Sequence, residues 1–581
     1  MNAIVNRIRI SVYISLCVVC IAARIHAAGA LVPFITLEGE AGTPAGGAVI
    51  KAFIIGDEVP AKATFELEAS GGAYMLLEQE GAQVSWMNPA EGMNAMTIRA
   101  SIPDAENGGG IETALELIVD GVFRQYVTLR STQSWVYRGK EGWSNDPTKG
   151  AAMKFYNEER VKITGEPVKK GSTITLRKGP SGAAVWYRID CIDVESAAPA
   201  GVQPADSLSA VDFGADPAGE KDSQEAIERC IAEARTSGKT VWLPAGTFLI
   251  SSKKNNALDV GGVTVRGAGM WHTAVYRKPP AVFTGVWRSN IRVGSLTRLS
   301  DLFIDCNSVT RAIGKPGGGD YGIAAGGSNW IVERVWIQHC DANWMSGTDG
   351  VIRRCRVADS WGDGINLNNG NRPNPDALGL RLRAEENFVR GTGDDGLATY
   401  SDAGGKRDNG KMSGSTFISN TSVAPYWANA LRIAGGIDVV VRDNLLCDAS
   451  GNCGIEIGTF GESGHPLESV VVEGNVIRRG GGWNTVNRHG MSIGYKGVPG
   501  NRIVVRNNII EDSRRAGIAI SGDSINLVLE GNRVSNPAAA GILIRQNTSG
   551  AVRLSGNVVT NLRPGQVSLK DDSGGGVRLE Y

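Results

Sequence analysis

Asp394 and Asp395 stand side by side in GDDGLATYS (393–401), and a third acid, Asp363, opens the comparable stretch DGINLN. Two carboxylates in contact cannot both ionise freely, so the pair keeps a proton at a pH where an isolated aspartic acid has lost its own. Glycosidic cleavage needs one protonated acid at the leaving oxygen and one ionised carboxylate on the other side of the sugar. The cost of placing like charges together is therefore the expected signature of a sugar-cleaving site, provided the fold brings Asp363 beside the pair.

A repeat supplies that placement. DGINLN from Asp363, DGLATY from Asp395, NALRIA from Asn429, CGIEIG from Cys453, HGMSIG from His489, AGIAIS from Ala516 and AGILIR from Ala540 follow one another at steps of 24 to 36 residues. A second series, including VVVRDNLL and VVVEGNVI, sets Asn444, Asn475, Asn508, Asn532 and Asn557 in one register. Strands this short cannot bury a face alone, so the units must stack. Parallel strands with loop insertions at fixed corners predict a right-handed parallel β-helix, with a ladder of stacked corner amides. Neighbouring coils lie about 4.8 Å apart, which brings Asp363 to Asp394 and Asp395.

The repeat also serves as an internal control. The position after the turn residue is Gly in every unit except at Ala430, while the turn residue itself varies from Asp to Ala. The turn needs the small residue and not the acid, so Asp-Gly here is more than turn chemistry. Strict alternation sets Asp395 inside with Leu397, and the chain must bend at Gly396 to bring the acid to solvent. Outward positions of the same wall supply Asn366, Asn368, Tyr400, Arg432, Glu456 and Ser492, giving way to Ala519 and Leu543. Trp344, Trp361 and Trp427 offer flat faces for a pyranose, although packing is the commoner use of any one Trp. His489 reads as a turn residue.

The 581-residue chain is 42% hydrophobic, and its 60 basic residues equal its 60 acidic ones, so no charge excess points to nucleic acid or to a polyanion. Its 77 glycines imply many tight turns. Residues 1–30 read as a cleaved secretory signal: Arg7 and Arg9 precede an apolar stretch too short to span a bilayer, and small residues follow. A secreted or periplasmic protein without a membrane anchor is expected. Cys17 and Cys20 leave with the signal, and the seven remaining cysteines are scattered; buried thiols are expected, Cys447 with Cys453 being the least implausible bridge. Residues 31–196 alternate in short runs such as ATFELEAS, NAMTIRASI and STITLRKG, which predicts an antiparallel β-sandwich. A linker follows over 197–209, and the β-helix takes 210–581. Near its start DSQEAIERCIAEARTSG predicts a helix, capped by Asp222 or Ser223 and ended by Gly238, that covers the open end of the stack.

DGINLNNG, RGTGDDGLATYSD and WANALRIAGGIDVVVRDNLLCDASGNCGIEIG resemble glycoside hydrolase family 87, the bacterial secreted α-1,3-glucanases and mycodextranases. The sandwich resembles the carbohydrate-binding-type module that precedes such catalytic domains. The resemblance implies inverting hydrolysis of α-1,3-glucan or nigeran-type glucan, with no cofactor in catalysis; a monomer is expected. By likeness to polygalacturonase-type β-helices, Asp394 protonates the leaving oxygen while Asp363 and Asp395 activate water. The sequence departs from the family pattern in ATYS, where Met-Trp commonly precedes the Ser, and at Glu456, where His is familiar. LEGEAG and WYRIDCIDVE resemble strands of calcium-binding carbohydrate modules, which implies Glu38, Glu40 and Asp190 as oxygen ligands of a structural Ca²⁺; strand acids without an ion are the alternative.

Two other classes share parts of this pattern. A β-helix polysaccharide lyase uses an Arg or Lys as base on an acidic polymer, a role open to Arg432. A non-catalytic glycan-binding surface protein shares the coils and the aromatic residues.

Overall fold

The computed structural model describes residues 28–140, 142–251, 257–280, 289–310, 321–370, 374–402, 409–460 and 464–581. The expected signal lies, up to residue 27, outside the described residues. Among the described residues no helix is long and apolar enough to cross a membrane.

The sandwich pairs a six-stranded sheet with a five-stranded one, both antiparallel. Tyr187–Glu195 runs antiparallel to both Phe34–Glu38 and Ala95–Ser101, which sets LEGE beside WYRIDCIDVE. Alternating residues such as Met96, Ile98, Leu115, Leu117, Ile174 and Ile192 fill the space between the sheets. ATFELEAS departs from the expected strand: Phe65–Glu68 is a short helix. Thr64 takes the N-cap and accepts the Leu67 N–H at 3.3 Å, so local capping overrides the alternation.

The second region is a stack of parallel coils. A typical coil runs through Leu397–Tyr400, Thr416–Ile418 and Thr421–Val423 before the next coil returns at Leu431–Ala434. One wall is a sheet of twelve parallel strands, and its register matches the repeat unit by unit. Ile365, Leu397, Leu431, Ile455, Met491, Ile518 and Ile542 are successive partners, each two residues beyond the turn position of its unit. These aliphatic side chains point inward and form a continuous core along the stack. The first strand, Ser207–Ser209, begins inside the stretch read as linker because Leu208 already pairs with Val241.

The expected asparagine ladder runs from Asn387 through Asn420, Asn444, Asn475, Asn508 and Asn532 to Asn557, two rungs longer than the repeat showed. In each step the backbone N–H and the Nδ2 of one Asn donate to the Oδ1 of the next at 2.8 to 3.1 Å. A buried corner thereby keeps its polar atoms paired without water. The predicted helix is Gln224–Ser237, with Asp222 accepting the Gln224 N–H at 3.1 Å and Gly238 ending it in the left-handed region. Its Ile227, Cys230 and Ile231 join the core beneath the first coils. Among the described residues all seven cysteines, Cys447 and Cys453 included, are buried free thiols.

The sandwich docks against the coils through buried charge. Arg390 of the coils pairs with Glu158 and with Asp193, the latter at 2.6 Å, while Lys154 pairs with Asp359 at 3.2 Å and Arg356 with Glu195. These side chains are at most 6% exposed. Removing one partner strands the others in a low dielectric, so Arg390→Met is expected to cost about 3–5 kcal/mol, read as a lower unfolding temperature. Replacing Arg390, Glu158 and Asp193 together with Met, Gln and Asn should recover most of that loss.

Candidate active site

The Ile365–Asn368 and Leu397–Tyr400 strands pair in parallel, and the turns before them carry Asp363 and the 394–395 pair. One oxygen from each of Asp363, Asp394 and Asp395 lies within 4.8 Å of the other two. Cross-links between turns hold them there: Gly364 N donates to Asp395 O at 2.9 Å, Asp394 N to Gly362 O at 3.0 Å and Gly396 N to Asn429 O at 2.8 Å. The small residue is needed because the turns nest. A Cβ on Gly364 would meet Gly396 O at 2.4 Å, and one on Gly396 would meet Ser422 Oγ at 2.0 Å. The regular strand starts only at Leu397, which is how Asp395 escapes strict alternation; it lines the cavity while only 6% exposed.

Burial, then the neighbouring Asp394, push the Asp395 carboxyl up to about 7, against Arg432 and two donors from Asn429. Those donors are the Asn429 N–H at 3.0 Å and its Nδ2 at 2.7 Å, both on Asp395 Oδ1. Asp363 Oδ1 accepts the Asp395 N–H at 3.1 Å, and its Oδ2 accepts Asn366 Nδ2 at 2.7 Å. Burial opposes the charge of Arg432, but Glu456 and all three aspartates outweigh it and hold the guanidinium above its ordinary value. Glu456 Oε2 receives Arg432 Nη1 at 3.3 Å and Asn429 Nδ2 at 3.0 Å, so it ties the cation and the amide that face the acids.

The acids line a cavity of about 290 Å³ with an aromatic rim. Tyr321 stacks on Trp344 at 5.4 Å, Trp344 meets Tyr400 edge-on at 6.2 Å, and Tyr400 meets Phe460 edge-on at 4.8 Å. Of the residues read from sequence, Asn366, Tyr400, Arg432 and Trp344 line this cavity, and Glu456 lines the one beside it. Asn368 is sealed beneath and donates to Asn366 O at 3.0 Å, which makes it a support. Trp361 is no sugar platform: it is fully buried, its Nε1 donates to Ser308 O at 3.0 Å, and Lys154 of the sandwich sits 5.1 Å over its ring. Trp427 packs against Trp143 at 5.0 Å and Arg138 at 5.1 Å, in the contact with the sandwich and away from the cavity. His489 is buried, and burial followed by Arg545, Arg515 and Arg488 drives it down to about 4, so it stays neutral.

Sequence reading missed Tyr321, Asp341, Asp402 and Phe460 in the lining. A signal for two of them existed. Ala324, Trp344 and Asn366 are successive wall partners, so Asp341 and Tyr321 hold, by the same offset, the position that Asp363 holds one and two coils later. The coil between Asp341 and Asp363 is short and carries Ala342 instead of Gly, which hides it from the repeat.

The sandwich acids do not form a comparable cluster. Among the described residues, the acids whose ligand atoms converge within 4.8 Å are the three aspartates. Asp190 is taken by Arg99, and Glu38 accepts Ser70 Oγ at 2.5 Å. Glu38 is pushed up to about 8, by burial and then Asp190, and Glu40 up to about 7, by burial. Arg99 thus pairs with one member of the expected calcium set, and the three carboxyls do not converge as the aspartates do.

Two family models match in series: alpha-1,3-glucanase catalytic domain D1 over residues 31–197 and domain D2 over residues 220–493. A comparison with curated proteins gave no match. Among solved structures, the catalytic unit of the thermostable GH87 alpha-1,3-glucanase from Streptomyces thermodiastaticus strain HF3-3 is 26% identical, with 95% of this chain and 96% of that one covered and a TM-score of 0.78. The Agl-KA catalytic domain (24% identity, 95% and 98% covered, TM-score 0.83) shares the fold. So does a GH87 alpha-1,3-glucanase catalytic domain in complex with nigerose (18% identity, 95% and 99% covered, TM-score 0.74). With both domain models matched in order across most of its length, the chain belongs to glycoside hydrolase family 87, the alpha-1,3-glucanases, and is a glycosidase.

Proposed function

We propose that this protein is a secreted, monomeric hydrolase of α-1,3-glucosidic bonds in α-1,3-glucan or nigeran-type glucan, acting with inversion through Asp363, Asp394 and Asp395. The observation that carries the reading is the convergence of three carboxyls within 4.8 Å in a cavity rimmed by Tyr321, Trp344, Tyr400 and Phe460. The adjacent pair holds one proton between its two carboxyls near neutrality. Asp394, the less buried of the two, hands that proton to the leaving glycosidic oxygen. Once the pair's proton sits on Asp394, Asp395, whose ionised form Arg432 and the two Asn429 donors favour against its burial, joins Asp363 in taking a proton from the water that attacks the anomeric carbon. The aromatic rim and Asn366 orient the sugar. A lyase mechanism would need Arg432 to shed its proton, which Glu456 and the three acids oppose.

One observation favours a second reading. Inverting pairs usually stand about 6.5–9.5 Å apart and retaining pairs about 5–5.5 Å, so acids this close suit a covalent glycosyl intermediate on the usual rule. A water shared by two carboxylates needs no such gap, which reconciles the trio with inversion. The stereochemistry decides: in early time points of α-1,3-glucan hydrolysis followed by ¹H NMR, the β-anomer should appear first. An α-anomer appearing first would replace the water-activating role by a nucleophilic one, and no released sugar at all would remove the hydrolase reading.

A further inference from the structure

The wall that carries the acids continues past Glu456 into a second cavity of about 330 Å³, lined among others by Asn487, Arg488, Ser492, Ser521 and Arg545. Its charge is one-sided. The acid in its lining is Glu456, whose oxygens are already shared by Arg432, Arg488 and Asn429. Arg545 donates to the neutral Asn487 Oδ1 at 2.8 Å, and Arg515, close by, to the backbone oxygen of Gly482 at 3.3 Å. Nε of Arg488, Nε of Arg515 and Nδ1 of His489 are buried without a hydrogen-bond partner. Arg545, Arg515 and Arg488 all lie near enough to His489 to depress its proton affinity, after burial. Neutral hydroxyls do not call for the two guanidiniums of the lining with a third, Arg515, behind them, whereas the planar fork of Arg matches the paired oxygens of a carboxylate or phosphate.

Wall partners step from Ala398 through Arg432, Glu456, Ser492 and Ala519 to Leu543. At about 4.8 Å per coil, the cavity begins at Glu456, roughly 10 Å from the aspartates, and ends roughly 24 Å from them. A glucan chain lying along the wall would cross it several sugar units from the scissile bond. We propose that this cavity is a subsite for an oxyanion carried by the polymer, a phosphate monoester or a carboxylate on a distal sugar, so that the preferred substrate is an acid-substituted α-glucan. The proposal rests on the hydrolase reading above and names its substrate class.

The test compares kcat/KM of the full chain on neutral α-1,3-gluco-oligosaccharides, on the same oligosaccharides bearing phosphate monoesters, and on a set oxidised at C6 to carboxylates. Wild type should prefer the charged sets by about tenfold or more, through KM, and the preference should shrink with added salt. In Arg545→Ala and Arg545→Gln the ratio should fall to about one. The His489 ring, followed by NMR in Asp394→Asn, should titrate at higher pH when a phosphorylated oligosaccharide is bound than when a neutral one is. Failure to cleave even the neutral oligosaccharides would remove the hydrolase reading itself. Cleavage of the neutral set with no preference for the charged ones would overturn this inference alone, as would a preference that survives both Arg545 variants. Acceleration of neutral cleavage by inorganic phosphate, without a preference for the substituted chains, would make the cavity an effector site and also overturn the proposal.

Discussion

Asp394→Asn is expected to lower the release of reducing ends from α-1,3-glucan by roughly 100- to 10,000-fold, the range that general acid–base catalysis supplies. Asn has nearly the volume of Asp but can neither deliver a proton to a leaving oxygen nor accept one from water. The same order of loss is expected for Asp363→Asn and for Asp395→Asn, because the three oxygens converge on one space. The losses should not add: once one member is gone, a second substitution removes a group with nothing left to work with. Folding should survive, since each site is held by backbone cross-links between neighbouring turns as well as by its carboxylate. Initial rates together with unfolding temperatures check this directly. A single variant that keeps more than a tenth of wild-type activity with an unchanged unfolding temperature would exclude that residue from the machinery.

The second large effect is on stability, and its sign is opposite to that on activity. Asp395 rises from an ordinary 3.8 to about 7 in the folded chain, first because it is buried and second because Asp394 is adjacent. A raised acid favours folding below its unfolded pKa, and that contribution is lost as pH climbs from about 4 through 7. At about 1.4 kcal/mol per tenfold change in proton affinity, the full span corresponds to roughly 4 kcal/mol. Asn carries no charge to bury. Asp395→Asn is therefore expected to be inactive yet more stable than wild type above pH 7, by up to that amount, with the difference vanishing towards pH 4. Denaturant unfolding of both proteins at pH 4, 6 and 8 gives the comparison. A variant less stable than wild type at pH 8 would show that the carboxylate is fully compensated in the folded state. The same proton governs turnover: wild-type activity should fall on the alkaline side of pH 7, where the pair loses the proton it must donate.

The two effects share one cause. Packing Asp395 into the wall beside Asp394 makes the site strained enough to hold a proton, and a charge-free substitution relieves that strain together with the function. Arg432 and the Asn429 donors keep the strain bounded, and Glu456 in turn fixes both of them. An ion pair, Glu456 with Arg432, does this positioning.

The acids, their register and the stacked coils were legible in the sequence because they repeat: although the steps between units vary, all seven set an inward aliphatic residue two positions beyond the turn residue. The asparagine ladder was legible for the same reason. The rungs at Tyr321 and Asp341 keep the same register, but both are followed by coils shorter than the others, and the second carries Ala342 in place of Gly, which conceals them. ATFELEAS misled because four residues of alternation are outweighed by one capping Thr.

Other decisions belonged to tertiary structure alone. Trp361 and Trp427 each lie two residues before a turn position of the repeat, and nothing local distinguishes them from Trp344; Lys154 and Trp143, more than 200 residues earlier, engage their rings from the docked sandwich. That Asp190 pairs with Arg99, brought to it by the Ala95–Ser101 strand, is not legible from either segment alone. The sequence by itself determined which residues recur on one wall, since parallel stacking turns chain spacing into spatial neighbourhood. Which of them face solvent, and how strongly each holds its proton, was decided by burial and by charges from remote segments, since both depend on what packs against a residue from outside its own coil.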